Sequence, residues 1–416
     1  MPDPVATPAP SISSVPAAVE TAAHFRTRQR ARLALSVTFA ANGVLVGSWA
    51  PRIPEIKANL DLSAAALGLA LLAPALGTVL AARTVGRRTA RHGTGAVTRV
   101  FGAAYCLTAW LPAVAPNLAL LWLSLLVWGA LMGAMDVAMN AQGVTIESAY
   151  GRPVLAAFHA VWSLASFVGA ILGGLGAALD VSIAAQQAVI GAVAAAAVVV
   201  VGRAFLPDVA HDEAHADEHA ERAPRRLIPR APEIRLVLLG LAAIFALMAE
   251  GAVADWSGVL ARDHIGVQAG QVGLAYAAFC VMMTAGRLTG DRVVEALGRA
   301  RCFAGLALVG AVGLGAGLAI DTFPATVAGF AALGLGLSIM VPVLYSTAAD
   351  TDGPPGPAIA AVAALGCVGM LVGPSLIGLI AQGVGVHTAL FLLPPFALTA
   401  GVLGVAGIRR SRRPAD

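Results

Sequence analysis

The chain has 416 residues, of which 58% are hydrophobic and only 12% are charged, and its formal net charge is +4. Soluble domains carry about 25% charged residues, so this composition excludes an ordinary soluble protein. The basic residues are dispersed over short segments rather than gathered on one face, which argues against nucleic-acid binding. Composition therefore predicts a protein whose main solvent is a lipid bilayer.

Twelve long apolar segments follow one another along the chain, and each approaches the roughly 20 residues that a helix needs to cross a bilayer. The long polar stretch after the sixth segment divides them six and six. We expect an all-α membrane protein with twelve transmembrane helices in two pseudo-symmetric six-helix bundles. The predicted spans are 33–51, 64–84, 97–115, 118–142, 154–178, 184–202, 236–257, 271–289, 302–320, 323–346, 357–381 and 386–408.

The polar segments at the ends and the middle of the chain complete the predicted organisation. The N-terminal segment is rich in Pro, Ala and Ser and ends in four arginines, which is typical of a disordered tail. The predicted divisions are a cytoplasmic tail 1–32, a bundle 33–203, a cytoplasmic linker 204–235, a second bundle 236–408 and a cytoplasmic tail 409–416.

The positive charges predict the orientation. With the N-terminus in the cytoplasm, 24 of the 27 Lys and Arg residues fall in cytoplasmic segments, and Arg52, Lys57 and Arg262 lie outside. Lys and Arg are enriched in cytoplasmic loops of membrane proteins. We therefore expect a multi-pass protein of the cytoplasmic (inner) membrane, with both termini in the cytoplasm.

The two halves resemble each other in sequence. Asn42-Gly43 is followed by Trp49, and Glu250-Gly251 is followed by Trp256 at a similar spacing. Similar glycine-containing pairs recur in the fifth and eleventh spans. The shared order predicts a duplicated six-helix unit, with a substrate site at the interface between the halves.

Span 4 contains the most informative charged residue. A charged side chain inside a span costs about 2.5–3.5 kcal/mol on insertion scales, so Asp136 requires a reason. Asn140 lies four residues later and shares its helix face. We interpret the pair as a site for a proton, a cation or a polar solute, with a structural hydrogen bond to a neighbouring helix as the alternative.

Span 5 opens with a second titratable group, His159. Because His titrates near neutral pH, an Asp136–His159 pair would be a plausible protonation switch, although a lone His in a helix is more often structural. Trp162 lies three residues later and could stack against a solute or simply pack. We regard both residues of span 5 as candidates for coupling or substrate contact.

Span 7 contains two further acids. Glu250 occupies the repeat position of Asn42, and Asp255 lies nearer the outer end of the span. Glu250, Asn42 and Asp255 are therefore candidate site residues. Arg52, at the outer end of span 1, is expected either to pair with one of these acids or to lie in water.

The segment after span 2 contains Gly86, Arg87 and Arg88, and the segment after span 8 contains Gly290, Asp291 and Arg292. Both segments, expected to be loops, resemble the signature of the major facilitator superfamily. The resemblance covers about residues 33–408 and implies a transporter fold in which these six residues form a cytoplasmic latch. The first copy has Arg83 in place of the acid, so Glu147 is a candidate substitute.

Spans 4 and 5 carry a finer resemblance. Asp136 to Asn140, Glu147, His159 and the glycines of span 5 resemble a branch of bacterial inner-membrane permeases that is distantly similar to fucose–proton symporters. Those symporters use one acid in span 4, which Asp136 matches, and another in span 1, which Asn42 replaces. The resemblance implies a proton-coupled carrier of a small solute.

The sequence thus predicts a monomeric secondary transporter that works by alternating access, with a small solute, protons and the lipid bilayer as its partners. We expect no enzyme activity, no catalytic residues, no cofactor and no metal. The linker histidines His211, His215 and His219 are interpreted as part of a solvated acidic segment, with a metal-sensing loop as the alternative. The alternatives are a proton-driven exporter of amphipathic compounds and a non-transporting membrane sensor. Deletion of residues 208–222 should inactivate a sensor but largely spare a transporter.

Overall fold

The computed structural model describes residues 22–151, 154–207, 234–350 and 355–410. Across these residues, twelve helical segments are long and apolar enough to cross a membrane. The predicted number of spans and the all-α fold class are therefore confirmed.

Six helices form the spans of each half. The first half contains α1 (Ala22–Trp49), α2 (Ala64–His92), α3 (Thr94–Leu107), α4 (Leu118–Tyr150), α5 (Leu155–Ala178) and α6 (Ile183–Val201). The second half contains α7 (Ile234–Val259), α8 (Leu274–Leu297), α9 (Arg299–Ile320), α10 (Phe323–Leu337), α11 (Pro355–Val384) and α12 (Leu393–Arg410). The short helices Met340–Ala349 and Val386–Leu390 complete the tenth and twelfth spans.

Glycines set the packing of α1 against α5 and of α7 against α11. A Cβ atom added at Gly47 would lie 2.1 Å from the carbonyl oxygen of Ser166. In the second half, one added at Gly369 would lie 2.1 Å from the carbonyl oxygen of Ile244. Small residues allow such close backbone approach where lipid gives no hydrophobic drive for helices to associate. The same pairing thus occurs in both halves.

Two other helix pairs repeat in the same way. In the first half α2 packs on α4, where a Cβ at Gly129 would lie 2.1 Å from the carbonyl oxygen of Pro74. In the second half α8 packs on α10, where a Cβ at Gly334 would lie 2.3 Å from the carbonyl oxygen of Phe279. The helices α3 and α6 pair as α9 and α12 do. The two bundles are therefore pseudo-symmetric, as the sequence repeat predicted.

The segments expected to be loops 2–3 and 8–9 are helical, which corrects the sequence interpretation. Helix α2 continues to His92 and α8 to Leu297, so the latch residues lie in the last turns of these helices. Each helix is followed by one glycine at positive φ, Gly93 at 82° and Gly298 at 79°. Arginine is a good helix former, and a single glycine can reverse the chain at little steric cost.

The first helix also begins earlier than predicted. Residues 22–32 were assigned to a disordered tail, but α1 starts at Ala22. The Arg28 guanidinium donates a hydrogen bond to the carbonyl of Ala149, and Arg28 and Arg32 lie over the ring of Tyr150. These contacts with the end of α4 stabilise the added turns. The linker histidines His211, His215 and His219 and the tail from 411 onwards lie outside the described residues.

The bundle has two distinct ends. We call the end with Ala22 and Arg410 the terminal end, and the opposite end, where α1, α5, α7 and α11 finish, the distal end. Near the distal end Ser375 Oγ donates to the carbonyl of Gly68 at 2.9 Å, and Lys57 Nζ lies 2.6 Å from Asp263 Oδ2. At the terminal end, Arg235 and Arg299 of the second half both bond to Asp350 of the same half. The halves therefore meet at the distal end.

Candidate functional site

Asp136 and Asn140 lie one turn apart on α4. The Asn140 amide donates to the Asp136 carbonyl at 2.9 Å and to its carboxylate Oδ1 at 3.2 Å. Both side chains are half-buried. Asp136 lies within electrostatic range of Tyr105 on α3 and of Cys367 on α11. The predicted shared helix face is confirmed, and in the described residues Asn140 is the one hydrogen-bond partner of this carboxylate.

Close packing of α4 on α2 fixes the position of Asp136. A Cβ at Gly133 would lie 2.6 Å from Cα of Thr78, and Thr78 Oγ1 donates to the carbonyl of Gly129 at 3.0 Å. These contacts lie within two turns of Asp136. Because the helix backbones touch, α4 has little freedom to rotate against α2.

Asn42 is a buried polar group on α1. Its side chain is 4% exposed, and the carbonyl oxygen of its amide has no hydrogen-bond partner among the described residues. Leaving a buried acceptor unsatisfied costs about 1–3 kcal/mol. Such an exception calls for an explanation, and a ligand that donates a hydrogen bond here would provide one.

His159 lies near the start of α5 and is exposed, although its helix is packed inside the bundle. Its ring meets Phe39 edge-on, with ring centroids 5.2 Å apart. In the described part of the chain, no hydrogen bond or ion pair joins His159 to Asp136. The direct Asp–His pair considered from the sequence is not formed in this conformation. Trp162, three residues on, is half-buried.

Arg287 links the two halves inside the bundle. Its Nη1 donates to Ser163 Oγ on α5 at 2.7 Å, and its Nη2 lies 3.7 Å from Glu250 Oε1 on α7. Ser163 in turn donates to the carbonyl of His159 at 3.1 Å. Arg287 and Glu250 are 20% and 19% exposed, so the ion pair is largely removed from solvent. Pairing offsets part of the cost of placing each charge inside a span.

Sequence reasoning missed Arg287 and Ser163 as site residues. Arg287 was counted as one of the basic residues around loop 8–9, and the positive charge of that group supported the predicted orientation. The available signal was the repeat itself, in which Arg287 follows Gly273 by 14 residues and Arg83 follows Gly68 by 15. Ser163 carried no sequence signal, because serine is common in transmembrane helices.

Asp255 lies towards the distal end of α7. It is half-buried and has no hydrogen bond or ion pair within the described residues. Its neighbour Trp256 is fully buried and donates to the carbonyl of Pro374 at 2.9 Å, which ties α7 to α11. Asp255 is therefore a second carboxylate inside a membrane span, and among the described residues it has no fixed partner.

Arg52 does not pair with these acids and does not lie in water, so both sequence alternatives are wrong. It is 1% exposed, its Nε lies 2.7 Å from Glu55 Oε2, and its guanidinium also donates to Gln186 and to the carbonyl of Val181. All four groups belong to the first half. Arg52 thus joins the distal ends of α1, α5 and α6 rather than reaching α7.

The predicted latch residues lie at the terminal end of α2 and α8. Arg87, Arg88 and Arg292 are exposed, and Arg88 contacts Thr84 and the ring of Phe101 in its own half. A Cβ at Gly86 would meet nothing within 4 Å, whereas one at Gly290 would lie 2.5 Å from Ile339. The backbone of Asp291 is helical, and its side chain lies outside the described part of the structure.

Glu147 does not replace the missing acid of the first latch copy in this conformation. Its Oε2 accepts hydrogen bonds from the backbone N–H groups of Val154 and Leu155 at 2.7 and 3.0 Å. A carboxylate at these first N–H groups stabilises the start of α5. Glu147 therefore fixes the turn between α4 and α5, which carry Asp136 and His159.

Known proteins are similar to this chain over most of its length. An uncharacterized MFS-type transporter of Yersinia pestis is 34% identical over 83% of this chain and 88% of its own length. The membrane protein MosC of Rhizobium meliloti is 30% identical over 89% of this chain and 87% of its own. The family model described as Major Facilitator Superfamily matches residues 239–416.

Solved transporter structures share the fold. A bacterial homologue of the human lysosomal transporter Spinster, in an inward-facing and occupied conformation, has a TM-score of 0.71 at 11% identity and covers 94% of this chain and 99% of its own. The fucose:proton symporter FucP of E. coli has a TM-score of 0.62 at 15% identity over 92% and 98% of the two chains. At these identities the likeness shows the fold alone. Together with the relatives, it shows that this chain belongs to the major facilitator superfamily of membrane transporters.

Proposed function

We propose that the chain is a secondary active transporter that moves a small solute across the cytoplasmic membrane, coupled to protons, by alternating access. The observation that carries this proposal is a set of ionisable side chains inside the bundle, one of which, Arg287, bonds across the two halves. Asp136, His159, Glu250, Asp255 and Arg287 all lie within membrane spans. Ionisable residues at such positions are rare unless they serve transport or pair with one another.

The distribution of positive charge supports a cytoplasmic terminal end. Arg87, Arg88, Arg292 and Arg410 are exposed at this end, and arginines are enriched on the cytoplasmic side. In that orientation the halves are in contact at the outer face. His159, near the start of α5, then lies towards the cytoplasmic end of its span.

Asp136 is the proposed proton carrier. Its carboxylate has a single amide donor, and a negative charge inside a span is costly without a cationic partner. Proton binding removes that charge and lets the half-bundles reorient. Glu250 differs because Arg287 already compensates its charge at 3.7 Å. We assign Glu250 and His159 a supporting role through the Arg287–Ser163 connection.

The cargo is proposed to be a small polar solute. Asn42 offers an unsatisfied buried carbonyl oxygen, Asn140 an amide and Trp162 a ring. Buried polar groups that are unpaired without a ligand favour ligands that can pair with them. An exporter of amphipathic compounds would instead have an apolar lining in this region.

The test is the internal pH of proteoliposomes on addition of pooled candidate solutes. Wild-type protein should respond to at least one polar solute with a proton flux, and Asp136→Asn should reduce the flux to the level of protein-free liposomes. Asp61→Asn, at an exposed position on the distal side, is the matched control and should keep the flux. A wild-type flux and pH dependence in Asp136→Asn would remove Asp136 from the coupling step.

A further inference from the structure

Three residues that are distant in the chain converge at the distal face of the second half. His264 lies in the turn Leu260–Ile265 after α7, Asp321 directly follows α9, and His387 lies in the short helix before α12. Their side-chain donor atoms all lie within 4.8 Å of one another. None of the three belongs to the proposed transport site.

The distances within this cluster suit a small metal ion. His264 Nε2 lies 2.9 Å and His387 Nε2 lies 3.5 Å from the same oxygen, Asp321 Oδ1. Two ligands of a tetrahedral zinc ion, each about 2.1 Å from the metal, lie about 3.4 Å apart. The observed spacings bracket this value. Small rotations of the side chains would therefore place all three around one ion.

We propose that His264, Asp321 and His387 bind a divalent transition-metal ion of the zinc class. Two imidazoles and one carboxylate are a ligand set that zinc prefers. The imidazole rings are parallel, with centroids 4.3 Å apart and an interplanar angle of 5°, so both edges face the same carboxylate. His387 Nε2 also lies 3.0 Å from the Leu318 carbonyl, which is a nearby oxygen ligand. Metal binding replaces the hydrogen bonds that the two Nε2 atoms make, because a ligating nitrogen presents its lone pair to the metal ion.

The cluster is accessible from solvent. The side chains of His264, Asp321 and His387 are 34%, 46% and 22% exposed. An ion can therefore enter without opening the bundle, and water can complete its coordination. The sequence concealed this site because its three ligands come from three different connections, with none of the short spacings that identify metal motifs.

The site adjoins a contact between the halves. Asp263, next to His264, forms the 2.6 Å ion pair with Lys57 of the first half. A metal ion on His264 would fix the turn that carries Asp263 and so stabilise the closed distal face. The bound ion would thereby slow transport, a consequence that rests on the proposed function.

The binding test uses tag-free, full-length protein in detergent, with zinc titrated in competition with a chromogenic chelator. The background carries His211→Ala, His215→Ala and His219→Ala, which removes the linker histidines as ligands. We expect one zinc ion per chain, and His264→Ala or His387→Ala should each weaken binding about 10-fold or more, the range in which even indirect changes to metal sites act. The control His92→Ala, at the terminal end, should bind as the background does.

Two outcomes would overturn the site: no stoichiometric binding in the background protein, or unchanged affinity in both histidine variants. Asp321→Asn serves as a milder ligand variant, and unfolding in metal-free buffer establishes that each variant is folded. In proteoliposomes, zinc should reduce the proton flux of the background protein but not that of His387→Ala. Zinc binding without this difference would contradict the role in closure. A protein without flux in zinc-free buffer would contradict the proposed transport function and leave the binding result intact.

Discussion

At the scale of single residues, the bundle separates charges that have a fixed partner from those that do not. Arg52 is buried and satisfied by Glu55, Gln186 and Val181, which marks it as structural. Asp136 has one neutral partner. Groups whose charge is left uncompensated in a low-dielectric site are the ones that bind or release protons most readily in response to their surroundings, and this contrast selects Asp136, together with Asp255, as a candidate for coupling.

The Glu250–Arg287 pair leads to a prediction about stability. Glu250→Gln or Arg287→Met alone should lower the temperature of unfolding, because each leaves the other charge without its partner inside the bundle. The double variant should be more stable than the sum of the single effects predicts, by a coupling free energy of about 0.5–3 kcal/mol. Thermal unfolding of the wild-type protein, the two single variants and the double variant in detergent measures this coupling free energy. Strictly additive effects would show that the pair, at 3.7 Å, makes no net interaction.

Residue roles were only partly predictable from the sequence. Asp136 and Asn140 share a helix face because four residues make about one turn, which the sequence states directly. The partner of Glu250 depends on how α8 lies against α7 and α5, and no local pattern contains that information. The same limit explains why the Asp136–His159 pair was considered, since adjacency of two spans in the chain does not fix the direction of their side chains.

At the scale of helices, glycines decide how closely the spans pack. Glycines such as Gly47 and Gly129 face a backbone carbonyl at a distance that a methyl group cannot occupy. Others, such as Gly305, face open space. The sequence indicated tight packing through its glycine and alanine content, but only the pairing of helices shows which glycines are required.

This difference predicts opposite effects for two similar substitutions. Gly129→Ala should destabilise the protein by about 1–3 kcal/mol, because α4 must move away from Pro74 of α2. Gly305→Ala, in α9, should be neutral or stabilise by up to about 1 kcal/mol, since alanine favours a helix and meets no neighbour. Thermal unfolding measures both. Equal effects of the two substitutions would contradict the proposed role of close α2–α4 packing.

The ends of the helices were the least predictable elements. Basic residues outside the membrane were read as tails and loops, yet they continue the helices α1, α2 and α8. Charged residues end a membrane span without ending a helix, so hydropathy locates the span and leaves the helix boundary open. The glycines that do end α2 and α8, Gly93 and Gly298, are two among the 46 glycines of the chain and carry no distinguishing sequence mark.

At the scale of the whole molecule, the sequence predicted the number of spans, their division into halves and the repeat. These properties follow from composition and chain order. The conformation does not follow from composition and chain order, because the two arrangements of an alternating-access protein, open to one side or to the other, bury similar surfaces. Contacts such as Lys57–Asp263 and Ser375–Gly68 are needed to see that the halves meet at the distal end.

In alternating access, solute and protons cross only when the distal end opens, and a reversible cross-link of this end tests that requirement most directly. A Cβ at Gly270 would lie 3.0 Å from Cβ of Ala178 across the two halves. Cysteines at these positions are close enough for a disulfide, whose Cβ atoms lie about 3.5–4.5 Å apart. The exposed native cysteine, Cys367, is replaced by Ser to avoid competing bonds.

The matched control is Ala243→Cys with Gly366→Cys, a pair within the second half whose Cβ separation would be 3.4 Å. We predict that oxidation of Ala178→Cys/Gly270→Cys abolishes the solute-evoked proton flux in proteoliposomes and that reduction restores it, while the control pair keeps its flux throughout. Full flux through the cross-linked protein, with the disulfide verified by mass spectrometry, would contradict alternating access about this bundle.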